Sequence, residues 1–280
     1  MKKLVALMLV GAMTAAMVTG CGSSADTSAS TDAAAEDTAA DAEATEDTAE
    51  AAEDTAADAK SDLAYVKEKG TLVVGITEFE PMDYKDENGE WIGFDADMAK
   101  AFAESLGVTA EFQVIDWDNK ILELEGKTID CVWNGMTLTD EVTSAMECTN
   151  AYLNNAQVVV VPADVADQYQ DEESLKDLSF AVEAGSAGEA EVSALGLNYT
   201  PVSSQADALM EVASKSSDAA VIDSLMAGAM IGEGTGYADL TYTIGLNSEE
   251  YGVGFRKGSD LAAALNDDLT TSHEDGSLEK

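Results

Sequence analysis

The sequence predicts an α/β protein made of two similar units with a ligand site between them. From Leu72 onward, short apolar runs of strand character alternate with segments of helical periodicity. A continuous apolar run, Val158 to Val161, reads as a strand buried on both faces, and after it the alternation starts again. The chain has 280 residues and 46% hydrophobic content, enough for one or two domains with sizeable cores.

The N-terminus reads as an export signal. Lys2 and Lys3 precede an apolar run from Leu4 to Val18 that is too short to span a bilayer. The ending Val18-Thr19-Gly20-Cys21 looks like a bacterial lipobox, in which the cysteine is acylated before cleavage. The alternative is an ordinary signal with an incidental cysteine, but Cys21 sits just where small residues precede the cut. Residues 1–20 are thus expected to be removed, and Cys21 to carry acyl chains sufficient for stable anchoring. From Gly22 to Lys60 the chain uses almost only Ala, Asp, Glu, Thr and Ser, with twelve acids against one lysine. Such a segment cannot repay its ordering entropy, and its charge extends it. Residues 21–61 are therefore read as a disordered tether with a root-mean-square span of about 35 Å.

Beyond the tether, Leu72–Gly75 is a strand, and Tyr84–Trp91 reads as a hairpin about Asn88-Gly89. Asp95 is placed to cap a helix carrying Met98, Phe102 and Leu106 on one face and stopped by Gly107. Phe112–Ile115 is a strand, Ile121, Leu122 and Leu124 mark a short helix ending at Gly126, and Ile129–Trp133 is a strand leading into Asn134-Gly135-Met136-Thr137. In the second half, the strand Leu178–Val182 precedes a capping box at Ser186-Ala-Gly-Glu189. A helix around Leu209 and Val212, the strand Ala219–Ile222 and a helix from Asp223 follow. Tyr251–Phe255 is a late strand, and Leu261, Leu265 and Leu269 line a last helix.

Composition excludes several functions. The net charge of −41 repels phosphate backbones, so no nucleic-acid partner is expected. The basic residues are thirteen lysines and one arginine, Arg256, so bidentate guanidinium chemistry is scarce. One histidine, His273, and three scattered cysteines are too few for a zinc or iron–sulfur site, and no cofactor or metal is expected. Cys131 and Cys148 read as free thiols, with a disulfide between them as the alternative in an exported protein.

In their order along the chain, these segments resemble the family 3 solute-binding proteins, the extracellular receptors of polar amino-acid ABC importers. The resemblance is carried by Gly70-Thr-Leu-Val-Val-Gly75, Pro81-Met82, Gly93-Phe-Asp-Ala-Asp-Met-Ala-Lys100, Ile129-Asp130, Gly135-Met-Thr-Leu-Thr-Asp-Glu141, Asp218-Ala-Ala-Val-Ile-Asp223 and Tyr251-Gly-Val-Gly-Phe-Arg-Lys257. It implies a two-lobed, type II periplasmic-binding fold with two hinge strands and an interlobe cleft. Lobe 1 is expected at 62–160 plus 251–280 and lobe 2 at 161–250, with hinges near Val160 and Glu250. The chain stops at Lys280, where the family continues into a final helix, so the sequence reads as short at its C-terminus or as a fragment.

The resemblance also places a site. Phe79 and Trp117 would sandwich the solute's side chain, the alternative for each being core packing. Asn134 belongs to the same cleft segment. The Gly135 carbonyl and Thr137 hydroxyl would accept from an α-ammonium group, or Thr137 or Thr139 would simply cap the next helix. Asp223, at the end of an apolar strand, would pair with the ammonium group or else serve as an N-cap. Ser186, Ala187 and Gly188 open a helix whose free N–H groups suit a carboxylate, with the capping box alone as the other reading. Two departures matter: Val142 stands where the family has the arginine that grips the α-carboxylate, and Ala187 replaces a hydroxyl residue. With Glu78, Asp116, Asp118 and Asp223 expected in the cleft and no basic residue at a motif position, the expected solute is cationic or amine-bearing. Ammonium groups would then lie on Asp223 and Glu78, and a neutral polar amino acid is the alternative.

The expected function is that of a monomeric, lipid-anchored receptor on the extracytoplasmic face of the cell membrane. It would deliver a polar amino acid or related amine to an ABC permease and would not be an enzyme. Two other functions stand: an enzyme on the same fold, such as a cyclohexadienyl dehydratase relative, or a sensor or surface lipoprotein without transport. The enzyme needs an acid–base pair in the cleft, and the sequence places no histidine or lysine there.

Overall fold

A computed structural model describes residues 61–274 of the chain. The segments read as an export signal, the lipidated Cys21 and an acidic tether, up to Lys60, lie outside the described residues. The described chain opens with α1 (Asp62–Lys69), β1 (Thr71–Ile76), the hairpin β2 (Tyr84–Lys85) and β3 (Trp91–Ile92), and α2 (Phe94–Leu106). It continues with β4 (Thr109–Val114), α3 (Lys120–Glu125), β5 (Cys131–Thr137), α4 (Asp140–Ala145), β6 (Glu147–Cys148) and β7 (Leu153–Asn155). After β8 (Gln157–Pro162) come β9 (Ser179–Glu183), α5 (Ala187–Ala194), β10 (Asn198–Val202), α6 (Gln205–Ala213), β11 (Ala219–Asp223), α7 (Ser224–Met230) and β12 (Leu240–Gly245). The last elements are β13 (Glu249–Phe255) and α8 (Leu261–Glu274).

The strands form two sheets, one per lobe. The first has the order β4-β1-β5-β13-β6, with β7 also on β13; β4, β1 and β5 are parallel, and β13 runs antiparallel to its neighbours. The second has the order β10-β9-β11-β8-β12, with β8 antiparallel between β11 and β12. Each lobe has its own apolar core, one around Phe102, Trp133 and Phe255 and the other around Phe180, Val182 and Val221. The run Val158–Val161 is almost wholly buried, as its unbroken apolar character requires.

The boundaries between lobes differ from the expected ones. Val158, Val159 and Val160 pair with Ile222, Val221 and Ala220, so this run belongs to the second sheet, and the first crossing falls at Ala156. Glu249 and Glu250 pair with Asn155 and Asn154 in the first sheet, which puts the return crossing at residues 246–248. The apolar run looked like a boundary because it is uniform. Hydrogen-bond pairing decides which sheet owns it.

Smaller differences have local causes. Gly93, not Asp95, is the N-cap of α2, and its φ of +122° suits glycine. A Cβ there would meet the Met82 carbonyl oxygen at 2.3 Å. α1 was not legible beforehand, because Ser61 and Gly70 cap a helix that buries only one residue, Val66. Cys131 is buried, Cys148 half-buried, and both are free thiols.

Arg256 serves lobe 1 and not the cleft. Its Nε lies 3.0 Å from Asp62 Oδ2, its Nη2 3.4 Å from Asp130 Oδ1, and its Nη1 donates to the Ile129 carbonyl at 2.8 Å. Asp130 is fully buried and also takes Lys69 Nζ at 2.5 Å and the Val73 N–H at 2.8 Å. Arg256→Met strands part of this buried charge and should cost about 3 kcal/mol. Urea unfolding is expected to shift to a lower midpoint at unchanged slope, and solute affinity is expected to stay within about twofold of wild type.

Candidate functional site

A cavity of about 240 Å³ opens between the lobes. Lobe 1 lines it with Trp117, Lys120, residues 134–137 and residues 139–142; lobe 2 lines it with Gln157, Glu183, residues 185–187, Ala190, Gln205 and Asp223. Its chemistry comes from strand ends. Thr137 ends β5, Glu183 ends β9 and Asp223 ends β11, so the carboxyl ends of parallel strands from both sheets converge on one crevice.

Asp223 is 4% exposed and is met by an unusual number of donors. Its Oδ1 accepts from Gln157 Nε2 at 2.8 Å, Tyr251 Oη at 2.7 Å and Asn155 Nδ2; its Oδ2 accepts from Gln205 Nε2. Asp223 makes no capping bond to α7, so the N-cap alternative is not taken. Glu249 shares the same amides: its Oε1 accepts from Asn155 at 2.7 Å, Gln157 at 2.9 Å and the Thr137 hydroxyl at 2.9 Å. Because Thr137 gives its proton to Glu249, its oxygen faces a ligand as an acceptor. Burial, with Glu249 close by, pushes the Asp223 carboxyl up to about 7. Glu183 is 2% exposed, its Oε1 has no partner, and burial next to Asp223 pushes it up to about 8.

A second buried network fixes the lobe 1 wall. Asp95 accepts from the Gly135 N–H at 2.6 Å and from the Tyr152 hydroxyl at 2.8 Å, and burial pushes it up to about 6. Asn134 accepts from Thr77 N and Oγ1 and donates to the Thr77 carbonyl and to Asp83 at 2.7 Å. Burial and the nearby Asp95 hold the Asp83 carboxyl well above the usual range. The Asn134 side chain is thereby engaged inside lobe 1. Gly135 has φ +56°, and a Cβ on it would meet the Phe79 ring at 2.5 Å.

Of the residues expected in the cleft, Trp117, Asn134, Gly135, Thr137, Ser186, Ala187 and Asp223 line the cavity. Phe79 does not: it is 2% exposed and packs edge-on against Tyr251 with ring centroids 6.5 Å apart. The expected aromatic sandwich is therefore reduced to one plate, Trp117, and Phe79 takes the core-packing alternative. Glu78, Asp116 and Asp118 are exposed and outside the lining. Gly188 lies beneath the cavity, facing Gln157 and the Val221 carbonyl. Ser186 and Glu189 form a cap: Ser186 Oγ accepts from Glu189 N at 3.1 Å and Glu189 Oε2 accepts from Gly185 N at 2.7 Å. Thr139 caps α4 through the Val142 N–H, at 3.2 Å.

The expectation of a cleft without a basic side chain also fails. Lys120 is 6% exposed, lines the cavity and stands over the Trp117 ring at 5.0 Å. Its Nζ reaches across the lobes to the Gly185 carbonyl at 2.8 Å. It escaped notice because one polar residue at a helix start, before the apolar Ile121 and Leu122, gives no pattern. Glu183 and Gln157 had a usable signal, since each is a polar residue at one end of an apolar strand, as Asp223 is. Among the described residues no cluster suits a metal ion, and no helix is long and apolar enough to cross a membrane.

Two α/β lobes, joined by two crossings around an acid-walled cavity, define the class of bilobal solute receptors. Residues 72–280 match the profile of the bacterial extracellular solute-binding proteins, family 3, and the chain belongs to that family. It is similar to the arginine-binding extracellular protein ArtP of Bacillus subtilis, with 29% identity over 76% of this chain and 84% of that protein. A crystal structure of a mutant ArgBP from T. maritima shares 32% identity over 78% of this chain and 96% of that one, with a TM-score of 0.73. An ancestral amino acid-binding protein, a precursor of cyclohexadienyl dehydratase, shares 32% identity over the same fractions, with a TM-score of 0.72.

The buried acids set a pH dependence. Asp95, Asp223 and Glu183 hold protons more tightly folded than unfolded, so folding takes up protons between the ordinary carboxylate range and about pH 8. Stability then falls as pH rises through that window. Thermal unfolding should drop by several degrees between pH 5 and pH 8, at roughly 2–4 °C per kcal/mol for a chain of this size. Glu183→Gln should flatten the upper part of the fall, and a flat wild-type profile would contradict the burial of these acids.

Proposed function

We propose that this protein captures a polar amino acid or a related amine-bearing solute outside the cell and delivers it to the permease of an ABC importer. The observation that carries this reading is the acceptor-rich wall of the cavity, where Asp223 and Glu183 meet at the seam of two lobes and Glu249 shares the amides that hold Asp223. An ammonium group entering there meets Asp223 on lobe 2 and the Gly135 carbonyl and Thr137 oxygen on lobe 1, and its stem lies on Trp117. Closing the lobes removes that group from water, so binding favours the closed population. The names of the relatives support an amino acid as cargo. Cys21 and the acidic tether would hold the monomeric receptor at the membrane while leaving it free to reach the permease.

The enzyme reading is the second one, and Lys120 gives it a particular footing, since a lysine and the raised acid Glu183 share the cavity. The receptor is favoured because Asp223 and Glu249 are both held by fixed donors, the Asn155, Gln157 and Gln205 amides and the Tyr251 and Thr137 hydroxyls, so neither is left as a free acid–base group. Incubation with prephenate or arogenate is expected to give no product.

A thermal-shift screen of the chain from Asp62 onward, against amino acids and amines, tests the receptor directly. A cognate solute at a hundred times its Kd adds about 2.7 kcal/mol, or roughly 5–10 °C in Tm. Asp223→Asn should weaken that solute by at least about tenfold. A screen in which only solutes without an amine bind would contradict the proposal. Cys21→Ser is expected to move the protein from membranes to a detergent-free soluble fraction, and persistent membrane binding would place the anchor elsewhere.

A further inference from the structure

Lys120 is the one basic side chain lining the cavity among the described residues, and it is nearly as buried as the core. Its ammonium group donates to two neutral carbonyls, Gly185 at 2.8 Å and Trp117 at 3.3 Å. Among the described residues no carboxylate comes within ion-pair distance of it, although Glu141 and Asp118 of lobe 1 and Glu183 and Glu189 of lobe 2 surround it more distantly. A buried ammonium without a counter-ion is costly, and proteins retain one where a ligand supplies the missing charge. Burial accordingly lowers its proton affinity.

The facing wall carries the opposite vacancy. Glu183 is 2% exposed, lines the same cavity and has an oxygen with no partner, with Asp223, Gln205 and Thr77 around it. A buried carboxyl oxygen left open needs a donor as Lys120 needs an anion. Resting on the amine-binding reading above, we infer that Lys120 is the residue that holds the solute's carboxylate and that Glu183, beside Asp223, takes its hydrogen-bond donors. Lys120 comes from lobe 1 and touches Gly185 of lobe 2, so the carboxylate sits at the seam and its binding favours closure. The objection that a carboxylate would meet only acids in this cleft is thereby removed.

The test is calorimetric titration of the full chain with amino acids and their decarboxylated partners: arginine and agmatine, lysine and cadaverine, histidine and histamine. At least one amino acid is expected to bind about a hundredfold more tightly than its partner, the discrimination a buried charge pair supplies. Lys120→Met should weaken the amino acid alone and bring the two within about fivefold. Glu183→Gln should weaken both members and keep their ratio, as expected for a contact they share. The wild-type ratio needs no variant, so it decides the matter even if Lys120→Met fails to fold. Equal binding of both members by the wild type, or equal weakening of both in Lys120→Met, overturns the role of Lys120 and leaves the receptor standing. Failure of every amino acid and amine to bind overturns the receptor reading and this inference together.

Discussion

Two carboxylates buried at the lobe junction, Asp223 and Glu249, govern the rest of the molecule. Neither can be buried unless its oxygens are met by donors, and apart from Gln205 of α6 and Thr137 of β5 the donors come from or beside the segments where the chain crosses between lobes. Asn155 and Gln157 flank the first crossing, while Asn247, which donates to Glu249 Oε2 at 2.9 Å and to Glu191 at 2.9 Å, marks the second. Tyr251 closes the set from β13. The same amides therefore tie the two crossings together, and one of them, Gln157, lines the cavity. In the proposed site, a solute drawing on Asp223 would share its donors with the crossings, so no separate relay is needed.

Lobe 1 repeats this solution at a smaller scale. Asp95 and Asp83 bond to Gly135 and Asn134 and so fix the part of β5 that lines the cavity. The chain is strongly acidic, so its few cations are used sparingly. Arg256 is committed to the Asp62 and Asp130 carboxylates, and among the described residues Lys120 is the one cation that lines the cavity. This division explains why net charge was a poor guide to the cleft. One desolvated ammonium near the ligand matters more than many solvated carboxylates at the rim, which water and salt screen.

Much of the fold was legible because many of its strands are apolar and α2 and α3 stop at Gly107 and Gly126. The main strands and helices from β1 to α8 and the cap at Ser186 could be read from residue patterns, whereas β6, β7, β10 and β12 carry no apolar run that marks them. The lobe boundary could not, since a uniform valine run carries no mark of which sheet it pairs with. Phe79 and Glu78 were misplaced for a related reason. Adjacent residues beyond a strand end can point inward or outward, and the cis peptide at Glu80-Pro81 and the turn after it lie beyond periodicity. Lys120 and Glu183 were missed because each is a single polar residue whose meaning depends on a partner in the opposite lobe.

The most direct measurement is a crystal structure of the chain with the solute recovered from the binding screen. The account predicts density between Trp117 and the end of β11, with an amine nitrogen within hydrogen-bond reach of Asp223 and both lobes in contact with the solute. A solute seated elsewhere, such as the groove between α2 and α8 lined by Phe94, Met98 and Leu269, would contradict it.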